Sequence, residues 1–529
     1  MPSRTRIMVA GVAVTAVGMA AAGMGVANAA AAPPPLALTM ATQNVLAERY
    51  VYQGEDGQQE VSLNLDLGVY AIAGKNALEI RAKRASYAKP ITAEQIVVKN
   101  GKKTAVRLPA GMVTGWGGLK NFTTVVLKNA AGKQVGSYQN DFCPNAYESV
   151  RTRRDAPAQT PYPRGCSDAP FNLGAVWGIQ AGWNAPVASL PRSESFDLAE
   201  GKYTATVTVN KKYRDHFKIT AKSGTLKLNI TVKTITVTDD EESAAAVAQV
   251  RAARAGDDPA RAAAVGEHGE HAGQGDPELQ ISAYKPGFRP PAKRPKAVAA
   301  SRIAKGPRPD LRSLPAWGIS LSQEGRKSYV NFGATVWNAG TSPLLVDGFR
   351  RTGTELMDAY QYFFDAKGKE VGSVAAGTME WDAREGHRHW HFTDFAQYNL
   401  LKANKKVAVR SGKEAFCLAN TDAVDYTIPN AKWRPDNTDL SSSCGQNTAV
   451  AVREVLDIGG GDTYSQDRPG QSFDITSVPN GTYYIEVKAN PSNKLAELST
   501  KNNTALRKIV IGGTATARTL KVPSVYGLD

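Results

Sequence analysis

The sequence predicts an all-β chain: two tandem antiparallel β-sandwich domains joined by a flexible linker. Three observations lead there. Apolar and polar residues alternate through short runs, which is the period of a half-buried strand. Gly, Pro and Asn punctuate those runs, as expected for connections between short antiparallel strands. Motifs of the first half recur in the second half in the same order.

Taken in order, the chain of 529 residues is long enough for several domains. Residues 1–30 carry Arg4 and Arg6, then an Ala/Val/Gly/Met run, then Ala27-Asn28-Ala29. This pattern reads as a cleaved secretory signal and is set aside from the fold. No later stretch reaches the roughly 18 apolar residues of a membrane span. The expected product is therefore secreted, with no membrane span after signal cleavage. Residues 38–238 contain the alternating run Val61 to Tyr70 and the strand-like runs Gln95 to Val98, Phe122 to Leu127, Tyr203 to Val209 and Leu226 to Val232. They are read as the first sandwich. Residues 239–306 open with Asp239-Asp240-Glu241-Glu242, pass through an Ala/Arg-rich stretch holding His268 and His271, and close on Pro-rich, basic sequence. Low hydrophobicity, charge and proline make this a disordered linker. Residues 307–515 are read as the second sandwich.

The halves correspond at several points. Leu67-Gly68-Val69-Tyr70 and its continuation match Phe332-Gly333-Ala334-Thr335, Asp141-Phe142-Cys143 matches Ala415-Phe416-Cys417, and Ser195-Phe196-Asp197-Leu198 matches Ser472-Phe473-Asp474-Ile475. Four cysteines allow three pairings and suit an oxidising compartment. Their distribution across the linker favours one local bridge in each half, Cys143 with Cys166 and Cys417 with Cys444. Lys and Arg number 64 against 49 Asp and Glu. The basic residues are spread along the chain without a nucleic-acid-binding motif, so a nucleic-acid partner is not expected; anionic cell-wall polymers suit the same charge.

Chemistry concentrates in Gly386-His387-Arg388-His389-Trp390-His391-Phe392, which holds three of the six histidines. Side chains at i, i+2 and i+4 share a face only in extended backbone. Outer Cα atoms about 13 Å apart must be drawn together for three imidazoles to meet one ion, so a bent or bulged strand is expected. Imidazole ligation suits copper, zinc, iron or nickel, and affinity favours Cu(2+). In the first half, Thr114, Trp116 and Gly118 stand in place of the three histidines, Gln139 stands opposite Lys413, and Trp183 falls near the place of Tyr464. These residues cannot rebuild the site, and His216 remains alone there.

Around the histidines, Trp381, Asp394-Phe395 and Tyr398-Asn399-Leu400-Leu401 resemble the copper-binding stretch of the lysyl oxidase family. Gly412-Lys413-Glu414-Ala415-Phe416-Cys417-Leu418 resembles the segment carrying the lysine of that family's lysine tyrosylquinone. Asp462-Thr463-Tyr464 resembles the segment carrying its tyrosine, and Phe473 to Tyr484 with Asn502-Asn503 resembles the closing strands. The likeness runs over about residues 308–513, and residues 38–238 look like a degenerate second copy, as in a bacterial secreted lysyl-oxidase-like protein.

The resemblance implies Cu(2+) on His387, His389 and His391 and a quinone made from Lys413 and Tyr464. The implied reaction is oxidation of a primary amine, or of peptidyl-lysine, by O2 to an aldehyde, with release of H2O2 and ammonia. Asp394 and Asp462 are the nearby carboxylates; either would serve as the base for the substrate's α-proton or merely cap a turn. The resemblance also implies Ca(2+) at Asp310, Leu311, Glu497, Asn502 and Asn503, although Ser499 replaces a family carboxylate. The competing function is a non-enzymatic copper-binding or cell-wall-associated β-sandwich. A zinc hydrolase would need further histidines or carboxylates, and the second half holds no other histidine.

Overall fold

The fold follows from hydrophobic alternation in short strands, 30 of them among the described residues. The computed structural model describes residues 36–53, 59–167, 169–188, 197–237, 294–303, 305–351, 353–383, 388–411, 415–433, 442–466, 472–525 and 528. Residues 1–30 read as a signal, Ser195-Phe196, most of the stretch read as linker with His268 and His271, His387 and Lys413 lie outside these residues.

The first half contains β1 (Leu36–Met40), β2 (Asn44–Gln53), β3 (Gln59–Asn64), β4 (Val69–Ala73), β5 (Leu78–Lys83), β6 (Thr92–Lys99) and β7 (Lys102–Arg107). It continues with β8 (Leu119–Asn129), β9 (Gln134–Phe142), β10 (Gly174–Ile179), β11 (Asn184–Pro186), β12 (Gly201–Val209), helix α1 (Lys211–Phe217) and β13 (Thr225–Val237). Its three sheets have the orders β1-β4-β11, β10-β5-β6-β7 and β3-β2-β13-β12-β8-β9.

In the second half lie β14 (Leu311–Ser313), β15 (Trp317–Glu324), β16 (Lys327–Asn338), β17 (Leu344–Arg350), β18 (Leu356–Phe364), β19 (Glu370–Asp382), β20 (His389–Thr393) and β21 (Ala396–Lys402). They are followed by β22 (Val407–Arg410), β23 (Ala415–Phe416), β24 (Asp422–Ala423), β25 (Ala451–Leu456), β26 (Gly460–Gln466), β27 (Phe473–Asp474), β28 (Gly481–Ala489), β29 (Thr504–Thr514) and β30 (Ala517–Lys521). The sheet orders are β14-β16-β26-β24, β23-β20-β19-β18-β17-β25 and β22-β21-β28-β29-β30.

Most of the strand-like runs are strands. Val61 to Tyr70 is the exception: it divides between β3 and β4. Gly68 sits at φ +57° there and donates its N–H to the Asp66 carboxylate at 2.8 Å, so a side-chain-stabilised turn interrupts an alternation that reads as continuous. Among the named strands of the described residues pairing is antiparallel except between β2 and β13, which run parallel. Helix is confined, among the described residues, to α1 and one 3₁₀ turn, and no helix is long and apolar enough to cross a membrane.

Two large cores fill the halves, one around Trp177, Phe122 and Phe142 and the other around Trp390, Phe392 and Phe473. Packing does not clearly delineate the tandem domains expected from the sequence. Pro34–Asp529 is one compact unit. A third cluster mixes Phe171 with Leu314, Trp337, Val424 and Leu528, and a fourth mixes Tyr162 and Val176 with Tyr426. Part of the stretch read as linker is also engaged: Val298 donates its N–H to the Ser373 carbonyl at 3.0 Å, and Ile303 is buried with Phe363 and Val374.

The sheet carrying the histidines is pinned at its far edge by a buried ion pair. Arg453 on β25 reaches both oxygens of Asp347 on β17 at 2.6 Å each, and Asp347 is 1 % exposed. Removing one member leaves a buried unpaired charge, whereas apolar replacement of both does not. Arg453→Met is expected to lower unfolding free energy in urea by about 3–5 kcal/mol, with most of it recovered by adding Asp347→Leu. A loss below about 1 kcal/mol in the single variant would show the pair to be immaterial.

Candidate metal and tyrosine site

Strand β20 is central to the site because it lies between β19 and β23. Its alternation sorts side chains to two faces. Trp390 is fully buried, donates its indole N–H to the Gln446 carbonyl at 3.0 Å and meets Trp381 edge-on with ring centres 5.9 Å apart. The Trp390 N–H is held by the Cys444 carbonyl at 3.0 Å, so the Cys417–Cys444 disulfide loop anchors this face.

His389 and His391 share the other face, as their spacing requires. They are 5 % and 1 % exposed, and their Nε2 atoms are 2.9 Å apart. At this separation one ring nitrogen donates to the other, so the two imidazoles meet edge to edge on one face of the strand. Asp382 on β19 lies with Oδ2 3.4 Å from His391 Nδ1, which turns Nε2 toward His389. Asp382 and His389 are register partners across the hairpin. Among the described residues no three metal-ligating side chains converge; His387 lies outside them.

The tyrosine reaches this strand through β23. Phe416 pairs with Phe392, one residue past His391, and the Phe416 ring meets Tyr464 at 4.8 Å between centres. The Tyr464 hydroxyl donates to the carbonyl of Cys417 at 2.6 Å. Burial, reinforced by the negative charges of Asp462 and Glu454, pushes the Tyr464 phenol well above its usual range. Glu454 is fully buried and receives the N–H of Leu418 at 2.9 Å; burial likewise drives its carboxyl far upward. Lys413 lies outside the described residues. On either side of it, Ser411 N–H is held by the Tyr398 carbonyl at 3.0 Å and Ala415 pairs with Thr393. Asp394 occupies a turn at φ +61° and binds Lys494 at 2.6 Å, the turn placement being one of the two roles its sequence allows.

The glycine run before Tyr464 suggests mobility in the sequence but is closely packed. Gly459 has φ +82°, and a Cβ there would lie 2.4 Å from the Asp425 carbonyl; a Cβ on Gly461 would lie 2.7 Å from Val424. These glycines permit a close approach of backbone.

The oxygen-rich group predicted at the domain start is assembled. Asn502 donates to both Asp310 oxygens at 3.1 Å, Glu497 accepts from Asn490, Asn503 and the Leu311 N–H at 2.7, 2.8 and 2.9 Å, and Arg312 pairs with Asp310 at 2.9 Å. The Oδ1 atoms of Asn502 and Asn503 are buried without a hydrogen-bond partner. Burial pushes the Glu497 carboxyl upward, and the Asp310 charge adds to that push. Both disulfides expected are formed.

Sequence reading did not single out Asp382, Glu454 or the Cys417 carbonyl. No motif marks them, because each acts through a strand pairing between distant segments.

Comparison with known proteins gives partial-length homology at moderate identity. Residues 360–519 match the family described as Lysyl oxidase. Lysyl oxidase homolog 4 of Mus musculus is 31 % identical over 129 residues, 24 % of this chain and 15 % of that protein. Protein-lysine 6-oxidase of Homo sapiens is 34 % identical over 125 residues, 23 % of this chain and 26 % of that protein. Protein-lysine 6-oxidase of Sus scrofa is 33 % identical over 125 residues, 44 % of that protein. The chain thus spans less than half the length of these relatives.

Asp457, just before the glycine run, gives a pH test. Burial raises its pKa from 3.8 to about 6. A raised carboxyl favours the folded state while protonated, and that contribution disappears as pH rises from 3.8 through about 6. Two pKa units correspond to about 3 kcal/mol. Asp457→Asn keeps an acceptor for the Ile458 N–H and does not titrate. Its stability relative to the parent should rise by up to about 3 kcal/mol between acid and neutral pH in urea titrations; a difference flat with pH would contradict the assignment.

Proposed function

We propose that this chain is a secreted, copper-dependent amine oxidase of the lysyl oxidase kind, converting a primary amine, peptidyl-lysine among the candidates, to an aldehyde. The observation that carries the reading is the meeting of two buried imidazoles, His389 and His391, on β20; Tyr464 packs against Phe416 of the neighbouring β23, on the face of Phe392 and not that of the histidines. The homology over residues 360–519 supports it independently.

In this reading His387, His389 and His391 hold Cu(2+). Copper bound there would, with O2, supply the oxidising power to turn Tyr464 and Lys413 into a lysine tyrosylquinone, and that quinone would supply the electron sink for amine oxidation. The rest falls to the chain itself. Asp382 fixes the His391 ring. The Cys417 carbonyl and Phe416 fix the phenol, and burial, with the nearby acidic groups, keeps it protonated. Asp462 is two residues from Tyr464 on the same strand face and is the better-placed carboxylate for proton transfer; Asp394 is committed to Lys494.

The first half, in the same reading, is a copy without the chemistry. The orders β1-β4-β11, β10-β5-β6-β7 and β13-β12-β8-β9 parallel β14-β16-β26, β25-β17-β18-β19 and β29-β28-β21-β22. Leu119 faces Phe142 as Phe392 faces Phe416, which sets Gly118 opposite His391 and Trp116 opposite His389. A Cβ on Gly118 would lie 2.1 Å from the Phe142 carbonyl oxygen, so no histidine fits. Val187, held by Val69 as Tyr464 is paired with Ala334, corresponds to the tyrosine more closely than Trp183 does.

Asp310, Glu497, Asn502 and Asn503 are proposed to hold Ca(2+), which would take up the two buried amide oxygens and offset both carboxylates. Anionic wall polymers remain the partner suggested by the net positive charge.

Two experiments test these assignments. With copper supplied during expression, Lys413→Ala and Tyr464→Phe should abolish H2O2 release from primary amines while metal analysis still finds copper, and His391→Ala should lose both. Full turnover in Tyr464→Phe would overturn the quinone reading, whereas a copper-loaded parent that releases no H2O2 from primary amines would favour a non-enzymatic copper protein. Separately, a calcium-selective chelator should lower the melting midpoint by about 3 °C or more, reversed by added Ca(2+) and absent in Asp310→Asn; an unmoved midpoint in the parent would remove calcium from the account.

A further inference from the structure

We infer that the half lacking the histidines is a positioning element for Tyr464, acting through the slab of residues 421–426. The inference rests on the reading of Tyr464 as the oxidised tyrosine.

The slab is fixed on both edges. On the first-half side, Leu173 and Gly174 donate their N–H groups to the Val424 carbonyl at 2.7 and 3.1 Å, and Tyr426 donates to the Gly174 carbonyl at 2.9 Å. Gly174 and Asp425 form a parallel bridge at the edge of β10, so the slab extends a first-half sheet. On the other side, Val424 and Asp425 both donate to the Gly459 carbonyl at 3.0 Å, and Thr421 donates to the Gly461 carbonyl at 3.0 Å. Asp422 and Ala423 pair with Gly461 and Gly460, the first residues of the strand bearing Tyr464. Five hydrogen bonds of ordinary length therefore connect β10 to β26 through one short segment. A sixth, from Gly174, is longer but shares the Val424 acceptor.

A second contact path runs beside it. Phe171, fully buried, meets Trp317 with ring centres 5.3 Å apart. Trp317 donates its indole N–H to Thr335 at 3.1 Å, and Thr335 shares a 2.8 Å hydroxyl hydrogen bond with Thr463, the neighbour of Tyr464. Tyr162 stacks on Trp433 at 6.1 Å and 9°, closing the slab's C-terminal side. Without the first half, the slab would lose one full hydrogen-bonded edge and the cover over Val424. The glycine turn that leans on it would lose its support, and β26 would fray from that end.

This alters what truncation should do. A catalytically empty copy is dispensable in principle; one that forms a wall of the slab is not.

Two full-length variants test the inference without touching the site. Gly174→Val inserts a Cβ that would lie 2.0 Å from the Asp425 carboxylate and 2.6 Å from the Thr427 hydroxyl. Phe171→Ala removes the ring from the shared cluster. Hydrogen-exchange mass spectrometry should show amides of residues 459–465 exchanging about tenfold faster or more in either folded variant, with β18 and β19 unchanged. Phenylhydrazine labelling of the Tyr464 peptide should fall about fivefold or more, with copper content retained. Unchanged exchange at 459–465 in both variants would overturn the inference. Absence of labelling in the parent protein would instead sink the quinone reading, while the exchange measurement still decides whether the first half holds β26.

Discussion

The hydrogen bond from the Tyr464 hydroxyl to the Cys417 carbonyl is the constraint on which the site depends. Cys417 is locked to Cys444 by a disulfide, Cys444 holds the backbone of Trp390, and Phe416 is paired to Phe392. One acceptor thus joins the tyrosine strand, the disulfide loop and the histidine strand. A buried phenol must find an acceptor, and here the acceptor is a backbone atom whose position is set by covalent and ladder constraints instead of a side chain free to rotate. The phenol is thus held with little orientational freedom against Phe416, on the core face that Phe392 and Trp390 share.

The electrostatics around this bond work in one direction. Glu454 and Asp462 are buried near the phenol, and burial together with their charge opposes its ionisation. The two histidines lie on β20, between β19 and β23. Buried acidic groups are costly in a dry protein interior unless protons are retained, and burial drives the Glu454 carboxyl in that direction.

Much of this was legible in the sequence. Histidines at alternate positions imply a strand with one metal-facing side, and His389 and His391 obey that rule because β20 is extended. The runs at Phe122 to Leu127 and Tyr203 to Val209 became β8 and β12 because alternation is what two-faced burial demands. Long-range partners were not legible. Asp382 meets His391 only through the register of β19 on β20, and nothing local to either residue encodes it. The glycine run was readable as permissive backbone, but permissiveness serves mobility and close packing alike; Val424 and Asp425, more than thirty residues earlier, decide for packing. The joining of the halves was hidden for the same reason, since nothing local to Phe171 or Trp317 encodes their contact.

The central claim is that Lys413 and Tyr464 become one covalent cofactor. Peptide mass mapping of the copper-loaded, reduced and alkylated protein tests it most directly. The account predicts that the two residues are recovered in a single cross-linked species that is absent when copper is withheld or His391 is replaced. Recovery of separate, unmodified Lys413 and Tyr464 peptides from protein shown to contain copper would contradict it.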